Sequence, residues 1–253
     1  MLKIGIVGLS QVGKTTFFRI VTKAHGAGLG TGKPEAHIGV VSVPDARLER
    51  LSAMFAPRKT VYASVEYVDT PGSVIDLVRA GPQSATLREM QALAHVVRAF
   101  GDVAGAPVDF LRDMENVELE LILSDLAVAE KRLERLEKDI KKQKNPALEQ
   151  EWQALQVCKA ALEKQTPLRE VALTPEQERA VRGFTFLSQK PMLYILNLDE
   201  KEASRTEAAE EFAVKAGLKQ RPRTGVTAVC GKVESELAEL SDAEAAEFMS
   251  SFG

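Results

Sequence analysis

Gly8-Leu9-Ser10-Gln11-Val12-Gly13-Lys14-Thr15 sets two glycines, a lysine and a hydroxyl side chain at the spacing G-x-x-x-x-G-K-[ST]. Each residue type has a task in holding a phosphate chain. Glycines let the backbone wrap the anion and present successive N–H donors to its oxygens. Lys14 brings a point charge to the β and γ oxygens. Thr15 offers its hydroxyl to Mg2+, a hard cation that prefers oxygen ligands. The apolar string LKIGIV precedes the turn and the stretch TTFFRIVTKA follows it. A helix that begins there turns its positive end toward the anion. A chance glycine turn has no reason to sit between a strand and a helix. Ser10, Gln11, Val12, Gly13, Lys14, Thr15 and Thr16 therefore read as a triphosphate cradle, with Lys14 as the charge that serves catalysis.

Three further segments fit the same ligand. Asp69-Thr70-Pro71-Gly72 follows the string SVEYV. A carboxylate at such a strand end holds magnesium through water in P-loop hydrolases, and Gly72 brings a backbone N–H toward the γ-phosphate. Asp-Thr-Pro-Gly alone is an ordinary turn, so its place after the cradle is what marks Asp69 as a metal residue. Asn197-Leu198-Asp199-Glu200 ends the string PMLYIL, at the strand edge where an open α/β sheet meets a base. Guanine-specific proteins generally carry Asn-Lys-x-Asp there. Leu198 lacks the lysine stem that packs over the base, and Glu200 is one methylene longer than aspartate. Discrimination in favour of guanine is therefore expected to be weak or absent. The alternative for Asn197 is a helix cap. Val229-Cys230-Gly231-Lys232 ends the last apolar string, and backbone groups at Cys230 and Gly231 would line the base pocket. The alternative for Cys230 is a small buried core residue.

These segments need a scaffold that brings them together. Apolar strings at Leu2–Val7, Gly39–Val43, Ser64–Val68, Leu93–Ala99, Met192–Leu196 and Thr227–Val229 alternate with helical stretches. Continuous Val/Ile/Leu runs mark strands buried on both faces, and the alternation predicts a three-layer α/β fold with a mostly parallel sheet. Gly39–Val43 and Ser64–Val68 form an antiparallel exception in this reading, with Ala46–Phe55 as a short helix. From Asp113 to about Lys164 there is no glycine and one proline, Pro146. Leu119, Ile122, Leu126, Ala129, Leu133, Leu136 and Ile140 recur at spacings of three and four, as do Leu148, Trp152, Leu155, Cys158 and Leu162. Asn145-Pro146 separates the two arms, so the segment reads as an inserted, coiled-coil-like antiparallel helical hairpin. It serves either as a solvated spacer or as a partner-binding arm. The division expected is 1–115 and 185–253 for the nucleotide-binding unit and 116–184 for the hairpin. His25–Lys33 is glycine-rich but lacks G-x-G-x-x-G spacing and follows a helix, so it reads as a mobile loop.

With 253 residues, 45% hydrophobic and 27% charged, the composition is that of an ordinary globular protein. The net charge of −3 provides no overall basic field for nucleic acid or an anionic membrane. No basic stripe interleaved with aromatics stands out, and no DNA partner is expected. Cys158 and Cys230 lie far apart, a reducing-compartment pattern. No apolar run is long enough to span a bilayer and no signal peptide precedes the first string, so the expected location is cytoplasmic.

The stretches KIGIVGLSQVGKTTFF, IGVVSVPDARLERL, SVEYVDTPG, ALAHVVRAF, FLSQKPMLYILNLDEKE and VTAVCGKVESELAELSDAEAAEFMSSFG resemble the YchF/Obg-like ATPase family of P-loop NTPases. NLDE is the most specific of them, because that family shows Asn-x-x-Glu in the base-reading position. The inserted hairpin is also a family trait. The resemblance implies a Mg2+-dependent hydrolase that prefers ATP and associates with ribosomes or stress responses. Four departures accompany it. Ser10-Gln11 stands where members usually read Pro-Asn. The first switch is shortened to TGKPEAH, leaving Thr31 as the one candidate for a second metal ligand. The loop after Gly72 reads SVIDLVRAGPQS, with few glycines. The family continues into a C-terminal TGS domain, whereas this chain ends at Phe252-Gly253 and is read as a divergent or short member without it.

Slow ATP hydrolysis that drives a conformational switch is the expected activity, with a ribosome or protein partner for the hairpin. Two alternatives stay open: GTP as the ligand, and a degenerate nucleotide-binding scaffold without turnover.

Overall fold

The computed structural model describes residues 1–23, 36–70, 72–79, 82–101, 108–143, 145–205, 207–241 and 244–245. The sheet is built from β1 (Leu2–Val7), β2 (His37–Ser42), β3 (Ser64–Asp69), β4 (Ala92–Ala99), β5 (Met192–Leu198) and β6 (Thr224–Val229). Their order is β2-β3-β1-β4-β5-β6, and only β2 runs antiparallel to its neighbour. The antiparallel exception read from the sequence is therefore present. Central β4 and β5 are buried almost throughout, as continuous apolar strings require, while edge strand β2 alternates half-buried with exposed residues. β6 starts at Thr224, three residues before its apolar string, because Thr224 and Gly225 pair with Met192 and Leu193 without adding an apolar signal.

Helices cover both faces. On one side α1 (Lys14–Thr22) packs through Phe18 against Ile6, Val96 and Ile195. On the other, α3 (Val74–Arg79), α4 (Pro82–Glu89), the start of α5 (Phe110–Lys142) and α8 (Ala208–Lys215) enclose Val7, Leu93, Val97 and Leu196. α2 (Ala46–Phe55) stands apart, with no buried residue.

α5 has 33 residues, about 50 Å of helix. Its first turns place Met114, Val117 and Leu121 in the sheet-side core. Beyond them Ile122, Ala129, Leu133 and Leu136 meet Ala154, Leu155, Cys158 and Leu162 of α6 (Pro146–Glu163) in a second core. Asn145 caps α6 by accepting from Ala147 N at 3.0 Å, and Pro146 fills the first helical position. Arg132 and Glu151 close the hairpin with a two-pronged ion pair at 2.7 and 2.8 Å. The helix α7 (Pro175–Val181) opens on a capping box between Thr174 and Gln177 and completes this core with Val181.

Two buried polar knots fasten the hairpin to the sheet. Asp125 accepts from Leu187 N at 3.0 Å, Ser188 N at 2.7 Å and Arg88 Nη1 at 3.0 Å. Glu118 accepts from the Tyr194 hydroxyl at 2.6 Å and from the guanidinium of Arg169. Burial pushes the Asp125 carboxyl up, against the pull of its amide donors and Arg88. Among the described residues no helix is long and apolar enough to cross a membrane.

Candidate functional site

The turn between β1 and α1 is shaped by backbone conformations that glycine alone adopts freely. Gly8 has φ 150° and Gly13 has φ 97°. A Cβ at Gly8 would stand 2.6 Å from the Val96 carbonyl oxygen, and one at Gly13 would stand 2.3 Å from Asn197 Nδ2. Gln11 holds φ 62°, a left-handed conformation that a long side chain rarely takes. Val12 anchors the turn by burial among Phe18, Val96 and Ile195. Ser10, Gln11, Gly13, Lys14, Thr15 and Thr16, with Thr70 and Gly72 across from them, line a cleft of about 350 Å³.

Lys14 lies folded on the turn itself. Its Nζ donates to Leu9 O at 2.6 Å and Gly8 O at 3.2 Å. Burial lowers its pKa, and the neighbouring Asp69 carboxylate partly restores it. Asp69 ends β3 beside it. The Thr15 hydroxyl donates to Asp69 Oδ2 at 2.8 Å, while Asp69 Oδ1 is buried with no hydrogen-bond partner. Burial raises the Asp69 pKa; Thr15, Lys14, His37 and Arg19 oppose that rise. The Thr70 hydroxyl and His37 Nδ1 are likewise buried and unpartnered. A carboxylate oxygen without a partner, next to a threonine hydroxyl at a phosphate-sized cleft, fits a hard, oxygen-seeking cation such as Mg2+. Among the described residues no group of three or more His, Cys, Asp or Glu gathers to hold a metal by protein alone.

Asn197 spends its amide on backbone. Nδ2 donates to Val12 O at 3.0 Å and Oδ1 accepts from Gly231 N at 2.9 Å. It thus bolts the cradle to the loop that opens α9 (Gly231–Leu237). The helix-cap alternative falls to its neighbour Asp199, which accepts from Lys201 N at 3.2 Å. Leu198 turns its side chain to the sheet face away from α1, where with Phe110 and Phe212 it lines a cavity of about 240 Å³ whose rim carries Glu202, Arg205, Glu211 and Lys215. Any nucleotide contact at Leu198 is therefore left to its backbone. The Cys230 thiol is buried in the same core, which leaves only its backbone for a ligand. Glu200 is exposed and ion-paired with Lys232, the residue after Gly231.

The structure thus gathers Ser10, Gln11, Gly13, Lys14, Thr15, Thr16 and Gly72 around one cleft, with Asp69 joined to it through Thr15, Val12 buried beneath it, and Asn197 with Gly231 immediately behind. Thr31 and the glycine-rich stretch His25–Lys33 lie outside the described residues. Sequence reasoning passed over His37, Thr70 and Lys232. His37 was missed because the apolar string starts at Gly39, yet β2 begins at His37 and pairs it across from Asp69.

No family model matches the chain. It is 36% identical over 263 residues to the Ribosome-binding ATPase YchF of Bacillus subtilis, covering 100% of this chain and 71% of that protein. The protein of the same name from Escherichia coli O157:H7 is 36% identical over 267 residues, covering 99% of this chain and 71% of its own. Among solved structures, the YchF GTPase of Schizosaccharomyces pombe matches with a TM-score of 0.77 at 26% identity, over 99% of this chain and 71% of that one.

Proposed function

The chain belongs to the YchF family of P-loop nucleoside triphosphatases, and we propose that it binds and slowly hydrolyses ATP with Mg2+, as a conformational switch associated with the ribosome. The observation that carries this reading is the Thr15–Asp69 pair at the mouth of the cradle, with its spare carboxylate oxygen. Glycine-shaped backbone wraps the phosphates, and the N-terminal end of α1 faces them. Lys14, released from the Leu9 and Gly8 carbonyls, turns to the phosphate oxygens. Thr15 and Asp69 hold the cation, which when bound neutralises charge that builds on the transferring phosphoryl group.

ATP is favoured over GTP by two features of the base end. No lysine stem is present at Leu198, and the Glu200 carboxylate is engaged by Lys232 instead of standing free for guanine. Ribosome association rests on relatives that carry it in their names. Residues 1–115 and 185–253 form the nucleotide-binding unit in this reading, with 116–184 as the arm, and the protein works in the cytoplasm.

Phosphate release by the purified chain, with and without Mg2+ and against Lys14→Ala, tests the activity. Loss of one positioned donor or charge in such a site costs about a hundredfold in rate. Equal release from both proteins contradicts the proposal.

A further inference from the structure

Between β2 and β3 the chain makes an excursion that the nucleotide site does not use. Val43 N donates to Ala63 O at 2.8 Å and closes its base. Within it, Ser52 and Thr60 hydroxyls hydrogen-bond and fold the following segment onto α2. Asp45 caps the helix, accepting from Arg47 N at 2.9 Å. The excursion is therefore a defined platform, yet its apolar side chains face water: Leu51 is 51% exposed, Met54 75%, Phe55 73% and Val61 69%. At about 100° per residue, Arg47, Arg50, Leu51, Met54 and Phe55 share one broad face of α2. A cluster of large exposed apolar residues on one helix face marks a binding surface.

Its charges say what kind of surface. Asp45 to Tyr62 carries Arg47, Arg50, Arg58 and Lys59 against Asp45 and Glu49, in a chain whose net charge is −3. Arg47 is paired with Asp45. Arg50, Arg58 and Lys59 are exposed, and among the described residues no carboxylate pairs with them. Unpaired cations interleaved with Met54, Phe55 and half-buried Tyr62 match a phosphate backbone with splayed bases that stack on aromatic and apolar side chains.

We propose that the exposed face of α2 and the Arg58-Lys59 segment dock on RNA. The choice of RNA rests partly on the ribosome association proposed above. The site lies at the far end of the β2–β3 pair from the nucleotide, because Ser42 pairs with Ser64 at one end and His37 with Asp69 at the other. Docked RNA leaves the cleft open, and the same two strands connect it to the metal-side aspartate.

The test uses the full chain and a fluorescein-labelled RNA hairpin with a single-stranded loop, titrated at several salt concentrations. Charge reversal by Arg50→Glu, Arg58→Glu and Lys59→Glu together weakens binding about tenfold or more, and lowers the log–log salt slope by about two to three. Met54→Ser with Phe55→Ser weakens binding and leaves the slope unchanged. An unchanged affinity and slope in the charge-reversed protein overturns the inference. So does binding of RNA-free ribosomal proteins, but not the hairpin, by this face. ATP binding measured on the same proteins separates the two proposals. Charge-reversed protein that still binds ATP and pellets with ribosomes as well as the parent leaves the nucleotide reading intact and removes this one.

Discussion

The Thr15 hydroxyl donates to Asp69 Oδ2 at 2.8 Å and leaves Asp69 Oδ1 buried and unpartnered, across 54 residues of sequence. One oxygen of the carboxylate is used to set its orientation, and the other is kept for a ligand the protein itself does not supply. A buried acceptor left without a partner costs about 1–3 kcal/mol. Such a cost is carried where binding later satisfies the group.

Asp69→Asn preserves the shape of that pair and removes its charge. Nucleotide affinity without metal is expected to change little, while the Mg2+ concentration needed for half-maximal ATP binding rises about tenfold or more. Titrating Mg2+ at fixed ATP by calorimetry reads this directly. An unaltered Mg2+ requirement removes Asp69 from the cation site.

Asn197 joins Val12 O to Gly231 N, so Asn197→Ala leaves two buried backbone groups without partners. A loss of about 2 kcal/mol in unfolding free energy is expected, together with weaker nucleotide binding as the cradle loses its rear support. Gly13→Ala acts on the same contact from the other side, since its new Cβ would meet Asn197 Nδ2 at 2.3 Å. Chemical denaturation of both variants tests the bolt. Full stability in Asn197→Ala contradicts it.

Lys232 holds the Glu200 carboxylate at the base end of the site. Lys232→Ala frees that carboxylate, and GTP is expected to gain on ATP by about two- to fivefold, in keeping with an exposed ion pair. Competitive titration of the two nucleotides measures the ratio. A ratio identical to that of the parent protein shows that Lys232 has no part in base choice.

His95 is fully enclosed on β4 beside Tyr194, and burial drives its pKa down from 6.5 to about 3. The unfolded chain therefore binds a proton in the pH window between those values that the folded chain refuses. Stability supplied by the neutral ring is complete above pH 6.5 and falls as pH drops toward 3, by about 1.4 kcal/mol per unit. His95→Gln is expected to flatten that slope by this amount in denaturation curves taken between pH 6.5 and 4. A slope equal to the parent's shows that His95 does not titrate in this way.

Much of this architecture is legible in the chain because it depends on local period. β1, the glycine turn and α1 follow from a motif framed by an apolar string and a helix. The hairpin follows from three- and four-residue spacing broken at Asn145-Pro146. What escapes the sequence is long-range. The Asn197 amide meets Val12 across 185 residues, so no local pattern announces it. Asp125 falls outside the three- and four-residue apolar spacing of its helix, yet it is fully buried on the backbone of Leu187 and Ser188, 62 and 63 residues away. The cationic patch is spread over Arg47 and Arg50 of α2 and Arg58 and Lys59 after it, and takes shape only once the helix aligns the first two with Met54 and Phe55.

The central claim is that the turn from Gly8 to Thr15 holds a magnesium-chelated adenine triphosphate. Isothermal calorimetry of the purified chain with ATP and Mg2+, repeated with chelator and with Lys14→Ala, tests it most directly. Saturable heat is expected for the parent protein with Mg2+, weakened by the chelator and lost in Lys14→Ala. The account is contradicted if neither ATP nor GTP gives binding heat with Mg2+, or if Lys14→Ala binds as tightly as the parent.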